Sequence, residues 1–122
     1  MRQIKIDLPI KSNDFKLVVL GDLHIGDSNC DLELVKRTIK YIQDTKECYC
    51  IVNGDIINNA LKDSKSDIYT ESMSIYEEQL LAVKLLSPIK DKILAIATGN
   101  HENRTWRVAG IDPTYYIASE LG

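Results

Sequence analysis

The sequence predicts an α/β fold built on a parallel-rich sheet with crossover helices, and three observations lead to this class. Short apolar runs rich in Val, Ile and Leu occupy residues 15–20, 48–52 and 93–97, and their length and composition are typical of buried strands. Segments with helical spacing of apolar residues separate these runs. Strand, helix, strand, helix, strand is the order that right-handed crossovers between parallel strands require.

Two crossover helices are predicted from the spacing of their apolar residues. The first covers residues 31–45, and the second covers residues 70–86 and ends before Pro88, which cannot continue a helix. The side chains that can cap the first helix are Ser28, Asn29 and Asp31. The faces expected to be buried are Leu32, Val35, Ile39 and Ile42 in the first helix and Met73, Tyr76, Leu80 and Val83 in the second.

Three further segments complete the prediction. Residues 112–121 form a last helix, with Asp112 as its cap and Pro113 at its first position. Residues 1–10 alternate weakly and are a candidate edge strand. Residues 58–67 are polar and form the one long loop. At 122 residues, the chain is predicted to be a single domain over 1–122.

Composition excludes several classes of protein. A formal charge of −3 argues against a basic module that coats nucleic acid. Three cysteines without C-x-x-C spacing fit neither a disulfide framework nor a cysteine zinc site and favour a cytoplasmic location. No apolar run approaches the roughly 20 residues of a membrane span, so no membrane association is expected.

Polar clusters follow all three predicted strands and are the main functional signal. The first contains Asp22 and His24, the second Asp55, and the third Asn100 and His101. Both histidines and four of the six glycines of the chain lie in these clusters. Because ligands bind beyond the carboxyl ends of parallel strands, the three clusters are expected to converge in one site.

The residue types in these clusters suit a metal site. Asp22 and His24 can offer one oxygen and one nitrogen to the same cation. The diverging oxygens of Asp55 can bridge two cations, Asn100 supplies a neutral oxygen, and His101 is the candidate proton donor. Each cluster alone is more often an ordinary turn. The three together, in this order on strand ends, favour the metal site.

The motifs resemble those of the calcineurin-like metallophosphoesterases, a family with the pattern D-x-H, G-D and G-N-H-[DE]. The matching residues are Asp22-Leu23-His24, Gly54-Asp55 and Gly99-Asn100-His101-Glu102. The resemblance implies a four-layer α-β-β-α sandwich, of which this chain supplies part. It also implies hydrolysis of phosphoesters by two divalent ions, usually Mn, Fe or Zn.

In the site implied by the resemblance, Asp22 and His24 hold one cation, Asp55 bridges both, Asn100 binds the second, and His101 protonates the leaving oxygen. The chain departs from the family because no histidine follows His101, whereas members carry further metal-binding histidines. The second cation would then have only two ligands, so occupancy by one metal or none is also considered. Residues 1–122 are therefore interpreted as the N-terminal portion of a metallophosphoesterase or as an incomplete site.

Three functions remain open at this stage. The first is a phosphoesterase, with a preference for phosphodiesters or nucleic acid over phosphoproteins. The second is a non-catalytic scaffold that acts as an interaction module, with self-association through exposed sheet surface. The third, a generic nucleotide-binding domain, is weaker because no glycine-rich phosphate motif follows a strand.

Several residues near the third cluster have two interpretations. Arg104 is a candidate phosphate ligand, and an ordinary solvated helix charge is about as plausible. Trp106 is a candidate base-stacking residue, although a partly buried anchor for the last helix is favoured. Glu102 is expected to orient His101 or its neighbours rather than to bind metal.

Overall fold

The structure, a computed structural model, describes residues 3–61 and 73–122 and has the predicted alternation of strands and helices. A 3-10 helix, Ser87–Lys92, joins the second helix to the third strand. The α/β prediction is therefore confirmed. The strands and helices, in chain order, are β1 (Lys16–Leu20), α1 (Leu32–Asp44), β2 (Cys48–Asn53), α2 (Ile75–Leu86), β3 (Ile93–Ala97), α3 (Glu102–Ala109) and α4 (Pro113–Leu121).

The sheet has three parallel strands in the order β1-β2-β3, with β2 in the centre. Side chains alternate between its two faces, and helices α1, α2 and α4 pack on one of them. That face carries the buried side chains Leu20, Cys48, Cys50 and Val52. Burial raises the pKa of the Cys50 thiol to about 11. Because the thiolate is the reactive form, Cys50 is an unreactive core residue.

None of the described residues forms a layer over the opposite face of the sheet. Leu17 and Val19 of β1 are 47% and 62% exposed, and Ala95 and Ala97 of β3 are exposed as well. The four-layer sandwich implied by the resemblance has a second sheet on such a face. The described part of the chain forms only the first sheet, which corresponds to part of that architecture.

Helix α1 follows the prediction closely. Asp31 caps it by accepting a hydrogen bond from the Leu34 backbone N–H at 2.9 Å, which selects one of the three candidate caps. At the other end, Lys92 Nζ donates to the backbone carbonyls of Ile42 and Thr45 at 2.6 and 2.7 Å. A cation there complements the helix dipole. The buried face is Val35, Ile39 and Ile42.

Helix α2 departs from the prediction. It begins after Ser74, which forms a capping box with Glu77, and it ends at Leu86, before Pro88 as expected. The predicted buried face is wrong at Tyr76 and Leu80, which are 62% and 43% exposed, whereas Met73 and Val83 are half-buried. The residues buried instead are Glu78, Gln79, Ala82 and Leu86.

The reversal of the α2 face has a specific cause. Glu78 is fully buried and accepts a hydrogen bond from the Asn59 backbone N–H at 2.9 Å. Its side chain also occupies the space beside Gly26 in which a Cβ would stand. A polar contact to the loop after β2 therefore determines which face of α2 points inward.

Of the remaining predicted segments, the last helix is confirmed and the N-terminal edge strand is not found in the described residues. Residues 112–121 form the predicted helix, with Asp112 accepting from the Thr114 backbone N–H at 2.9 Å. Residues 3–10 form no strand, so the edge-strand prediction is wrong for that part. The N-terminal segment is instead joined to the rest of the protein at Ser12. The Ser12 hydroxyl donates to Glu47 and lowers the pKa of that carboxyl. Three stretches of the predicted elements lie outside the described residues: 1–2, 62–67 and 70–72.

No helix among residues 3–61 and 73–122 is long and apolar enough to cross a bilayer. The domain boundaries and the cytoplasmic location stay predictions.

Candidate metal centre

The loops that follow the three strands meet at one edge of the sheet. The His24 backbone N–H donates to the Asp55 carbonyl at 3.0 Å, and a short parallel bridge between Ile25 and Ile57 continues this pairing. The His101 backbone N–H donates to Asp55 Oδ1 at 2.9 Å. Asp55 is therefore bonded to the loops after both neighbouring strands.

Three of the predicted site residues bring metal-binding atoms together. Ligand atoms of His24, Asp55 and His101 all lie within 4.8 Å of one another, and the two imidazole rings meet edge to face with centroids 4.3 Å apart. Asp55 is buried, whereas both histidines are half-buried. Asp22 lies at the outer side of this group, with Oδ1 3.7 Å from His24 Nε2 and its side chain 84% exposed.

Asn100 lies on the solvent side of the site. It is exposed, and its neighbours Gly99 and His101 are both close to Asp55. Asn100 lines a surface cavity of about 570 Å³. The other residues of this cavity are Thr98, Gly99, Asn103, Trp106 and Asp112.

Trp106 is 56% exposed, so it is only partly buried, and its role as an anchor for the last helix stays a prediction. The indole forms a wall of the cavity that contains Asn100. This position leaves an aromatic surface available beside the candidate metal centre.

The hydrogen bonds of His101 assign its tautomer. Nδ1 lies 2.6 Å from the carbonyl oxygen of Asn58, which can only accept, so Nδ1 carries a proton. Nε2 lies 3.1 Å from Nη2 of Arg104, which can only donate, so Nε2 carries a lone pair. Arg104 also donates to the Asn58 carbonyl at 3.3 Å. Both ring nitrogens of His101 therefore have partners within the protein.

The backbone at the site is unusual. Asp22, His24, Asp55 and Asn59 all have positive φ angles, between 47° and 52°. Non-glycine residues rarely adopt this left-handed conformation, which costs about 1–2 kcal/mol each. Such outliers cluster at functional sites, and here they include three of the four residues predicted to bind metal.

Glycines allow the loops after β2 and β3 to approach each other. A Cβ on Gly54, whose φ is 72°, would lie 2.6 Å from the Cα of Gly99, and a Cβ on Gly99 would collide with the backbone nitrogen and carboxylate of Asp55. The third glycine at a strand end, Gly21, has only ordinary contacts at 3.5 Å or more. Close approach therefore explains the glycines at 54 and 99 but not the one at 21.

Two asparagines after Asp55 have a structural role that the sequence did not reveal. Asn59 is fully buried; its side chain donates to the His101 carbonyl and accepts from the Thr105 hydroxyl at 2.8 Å. Asn58 supplies the carbonyl that binds His101. Both asparagines are buried, and no pattern in the sequence distinguishes them from turn residues.

The donor set fits a divalent metal ion. Imidazole nitrogen and carboxylate oxygen together suit Mn, Fe and Zn. Donor atoms bound to a common ion at about 2.1 Å lie about 3–4 Å apart, and the 3.7 Å between Asp22 Oδ1 and His24 Nε2 falls in this range. His24 and Asp55 belong to the group within 4.8 Å, and Asp22 reaches it through Oδ1, 3.7 Å from His24 Nε2.

Comparison with known proteins gives one match. A family model described as calcineurin-like phosphoesterase matches residues 15–120. No curated protein and no solved structure matches. The matched range includes all three polar clusters and supports a metal-dependent phosphoesterase in general.

Proposed function

The chain belongs to the calcineurin-like phosphoesterase family, and from this premise we propose that it hydrolyses phosphoesters with divalent metal ions bound at the edge of the sheet. The observation that supports the proposal best is the convergence of His24, Asp55 and His101 within 4.8 Å. These residues are far apart along the chain, and the loops after three different strands bring them together.

In the proposed site, Asp22, His24 and Asp55 hold one cation, and Asp55 with Asn100 holds the second. Bound divalent ions would activate a water molecule and stabilise the oxygens that enter and leave phosphorus. The metal is proposed to be Mn, Fe or Zn, and occupancy by a single ion is the alternative because the second position has few ligands.

His101 and Arg104 are proposed to act on the substrate. Nε2 of His101 accepts from Arg104 in the present structure. To protonate the leaving oxygen, it would first take up a proton from solvent once Arg104 turns to the substrate phosphate. The guanidinium of Arg104, 3.1 Å from Nε2, is suited to bind phosphate oxygens in a bidentate manner. The Asn58 carbonyl keeps the His101 ring in the orientation that this transfer needs.

The test of the chemistry is hydrolysis of bis-p-nitrophenyl phosphate with Mn²⁺, with Asp55→Asn as the main variant. We expect kcat/KM to fall by more than about 100-fold, because even residues outside the ligand shell cost about 10–100-fold when changed. Chelation of metal should abolish the wild-type activity.

The matched control is Asp44→Asn, which makes the same change at an exposed carboxylate at the end of α1. This end of α1 precedes β2 and therefore lies at the opposite edge of the sheet, so kcat/KM should be unchanged. Activity that survives in Asp55→Asn, or that resists chelation, would contradict the proposal.

A preference for phosphodiesters or nucleic acid is the finer part of the proposal. It is supported by Trp106, whose exposed indole lines the same cavity as Asn100. Aromatic side chains stack nucleobases with about 1–3 kcal/mol per base, and Asn103 in the same cavity can bond a base edge. A base would then lie beside the phosphorus that the metal ions bind.

Two p-nitrophenyl phosphodiesters test this preference, one with a thymidine group and one with a methyl group. Both release the same phenolate, so they differ only in the group that remains. Trp106→Ala should raise KM about 5- to 100-fold for the thymidine ester and leave the methyl ester unchanged. Val108→Ala, on the same helix and 77% exposed, is the control. Equal effects on both esters would argue against a base site.

The second candidate function is a non-catalytic interaction module. The observation that favours it is the uncovered apolar face of the sheet, with Leu17 and Val19 about half exposed or more. Calorimetry with Mn²⁺ and the assay above separate the two candidates. Metal binding without hydrolysis of any ester would favour the module, whereas metal-dependent hydrolysis would favour the enzyme.

A further inference from the structure

Glu102, the first residue of α3, is fully buried, and its carboxylate accepts hydrogen bonds from four backbone N–H groups. Oε2 accepts from Asp55 and Gly99, both at 3.0 Å. Oε1 accepts from Ile56 at 2.7 Å and Ile57 at 3.0 Å. One side chain therefore joins the loop after β2 to the loop after β3.

These four bonds use the whole acceptor capacity of the carboxylate, which has about four lone-pair sites on its two oxygens. Glu102 therefore has no free position for a metal ion. Hydrogen bonds to a charged acceptor are about twice as strong as neutral ones, and they compensate the burial of the charge. Glu102 therefore holds the backbone of the two loops in place rather than coordinating a metal ion.

The backbone that Glu102 fixes is that of the central metal-binding residue. Asp55 has a left-handed backbone with φ of 48°, so its local preference is to leave this conformation. The Asp55 backbone N–H donates to the Glu102 carboxylate, and the His101 backbone N–H donates to Asp55 Oδ1. Two of the bonds that hold Asp55 thus come from the start of α3, from its N-cap His101 and its first residue Glu102.

We propose that Glu102 is the positioning residue of the metal centre: its carboxylate holds the Asp55 backbone in the left-handed conformation that directs the Asp55 carboxylate towards His24. This inference rests on the proposed function for the identity of the ligand, but the contacts that carry it are independent of metal. Residues outside the ligand shell typically change metal affinity by about 10–100-fold.

The test variant is Glu102→Gln, which keeps the shape but replaces one acceptor oxygen with a donor. Amide hydrogen exchange of the 122-residue protein, read by NMR, should accelerate at Asp55, Ile56, Ile57 and Gly99 relative to amides in the centre of β2. Mn²⁺ affinity by calorimetry should fall about 10- to 100-fold. A purely structural role would instead accelerate exchange throughout the sheet.

Glu78→Gln is the matched control, because Glu78 is also fully buried and accepts a backbone N–H from the same loop, at Asn59. It should leave Mn²⁺ affinity and exchange at Gly99 unchanged. Wild-type exchange at the four amides in Glu102→Gln would overturn the proposal, as would equal loss of affinity in both variants.

Glu102→Asp keeps the test decisive if Glu102→Gln fails to fold, because it retains the charge and shortens the side chain by one methylene. A smaller but still selective acceleration at the same four amides is expected, and a uniform one would overturn the proposal. If the wild type binds no Mn²⁺, the proposed function fails, while the exchange measurement still decides whether Glu102 positions Asp55.

Discussion

Gly99 is the residue at which the two site loops come closest. A Cβ there would collide with the Asp55 nitrogen and carboxylate, and these atoms cannot retreat because Glu102 and His101 hold them. We expect Gly99→Ala to destabilise the protein by roughly 1–3 kcal/mol, as overpacking does, and to weaken Mn²⁺ binding at least about 10-fold. Urea unfolding and calorimetry measure the two effects.

Gly21→Ala provides the control for this prediction. Gly21 also follows a strand and also has a negative φ, but a Cβ there meets nothing nearer than 3.5 Å. Its stability and metal affinity should therefore stay close to wild type. Comparable losses in the two variants would show that a methyl group at any strand end is harmful, and the argument from the close approach to Asp55 would fail.

At the scale of single residues, chemical type was predictable and conformation was not. Asp22, His24, Asp55, Asn100 and His101 were chosen because their side chains suit metal chemistry, and the structure gathers three of them at one point. Nothing in the sequence indicated that Asp55 would need a left-handed backbone. That conformation is held by a hydrogen bond that the Asp55 backbone N–H donates to Glu102, which lies 47 residues away.

At the scale of elements, periodicity succeeded where burial is apolar and failed where it is polar. Helix α1 buries Val35, Ile39 and Ile42 as its spacing predicts. Helix α2 buries Glu78 and Gln79, because Glu78 accepts a hydrogen bond from the loop after β2 and the polar positions therefore face inward. A hydrophobic pattern cannot anticipate a buried carboxylate whose partner is a distant backbone N–H.

Helix α3 shows a second limit of pattern reading. It spans only Glu102–Ala109, and of its residues only Glu102 is buried, so it has no apolar stripe to detect. Its first turn nevertheless carries the contacts that assemble the site, from His101 and Glu102 to Asp55. The sequence located this segment through its motif, and the motif gave no indication of a helix.

At the scale of the whole molecule, the described residues cover only one of the two faces of the sheet. Parallel sheets are almost always covered on both faces, and an exposed apolar surface of this kind tends to find a partner. The residues of the uncovered face are Leu17, Val19, Tyr49, Ile51, Ala95 and Ala97, which alternate with the core positions in each strand.

We propose that a second copy of the chain covers this face, and that Val19→Lys weakens the association at least about 10-fold. Val19 is 62% exposed and pairs with Ile51 of the central strand, so an ammonium there would be buried unpaired in any face-to-face dimer. Sedimentation velocity over a range of concentrations measures the dissociation constant. Val108→Lys is the matched control, because Val108 is 77% exposed and lies on α3 rather than on a strand, and it should associate like the wild type. A wild type that stays monomeric at every concentration, or equal effects of the two lysines, would contradict the proposal. Association that responds only to Val19→Lys would locate the contact on the sheet, because the two variants change the net charge by the same amount.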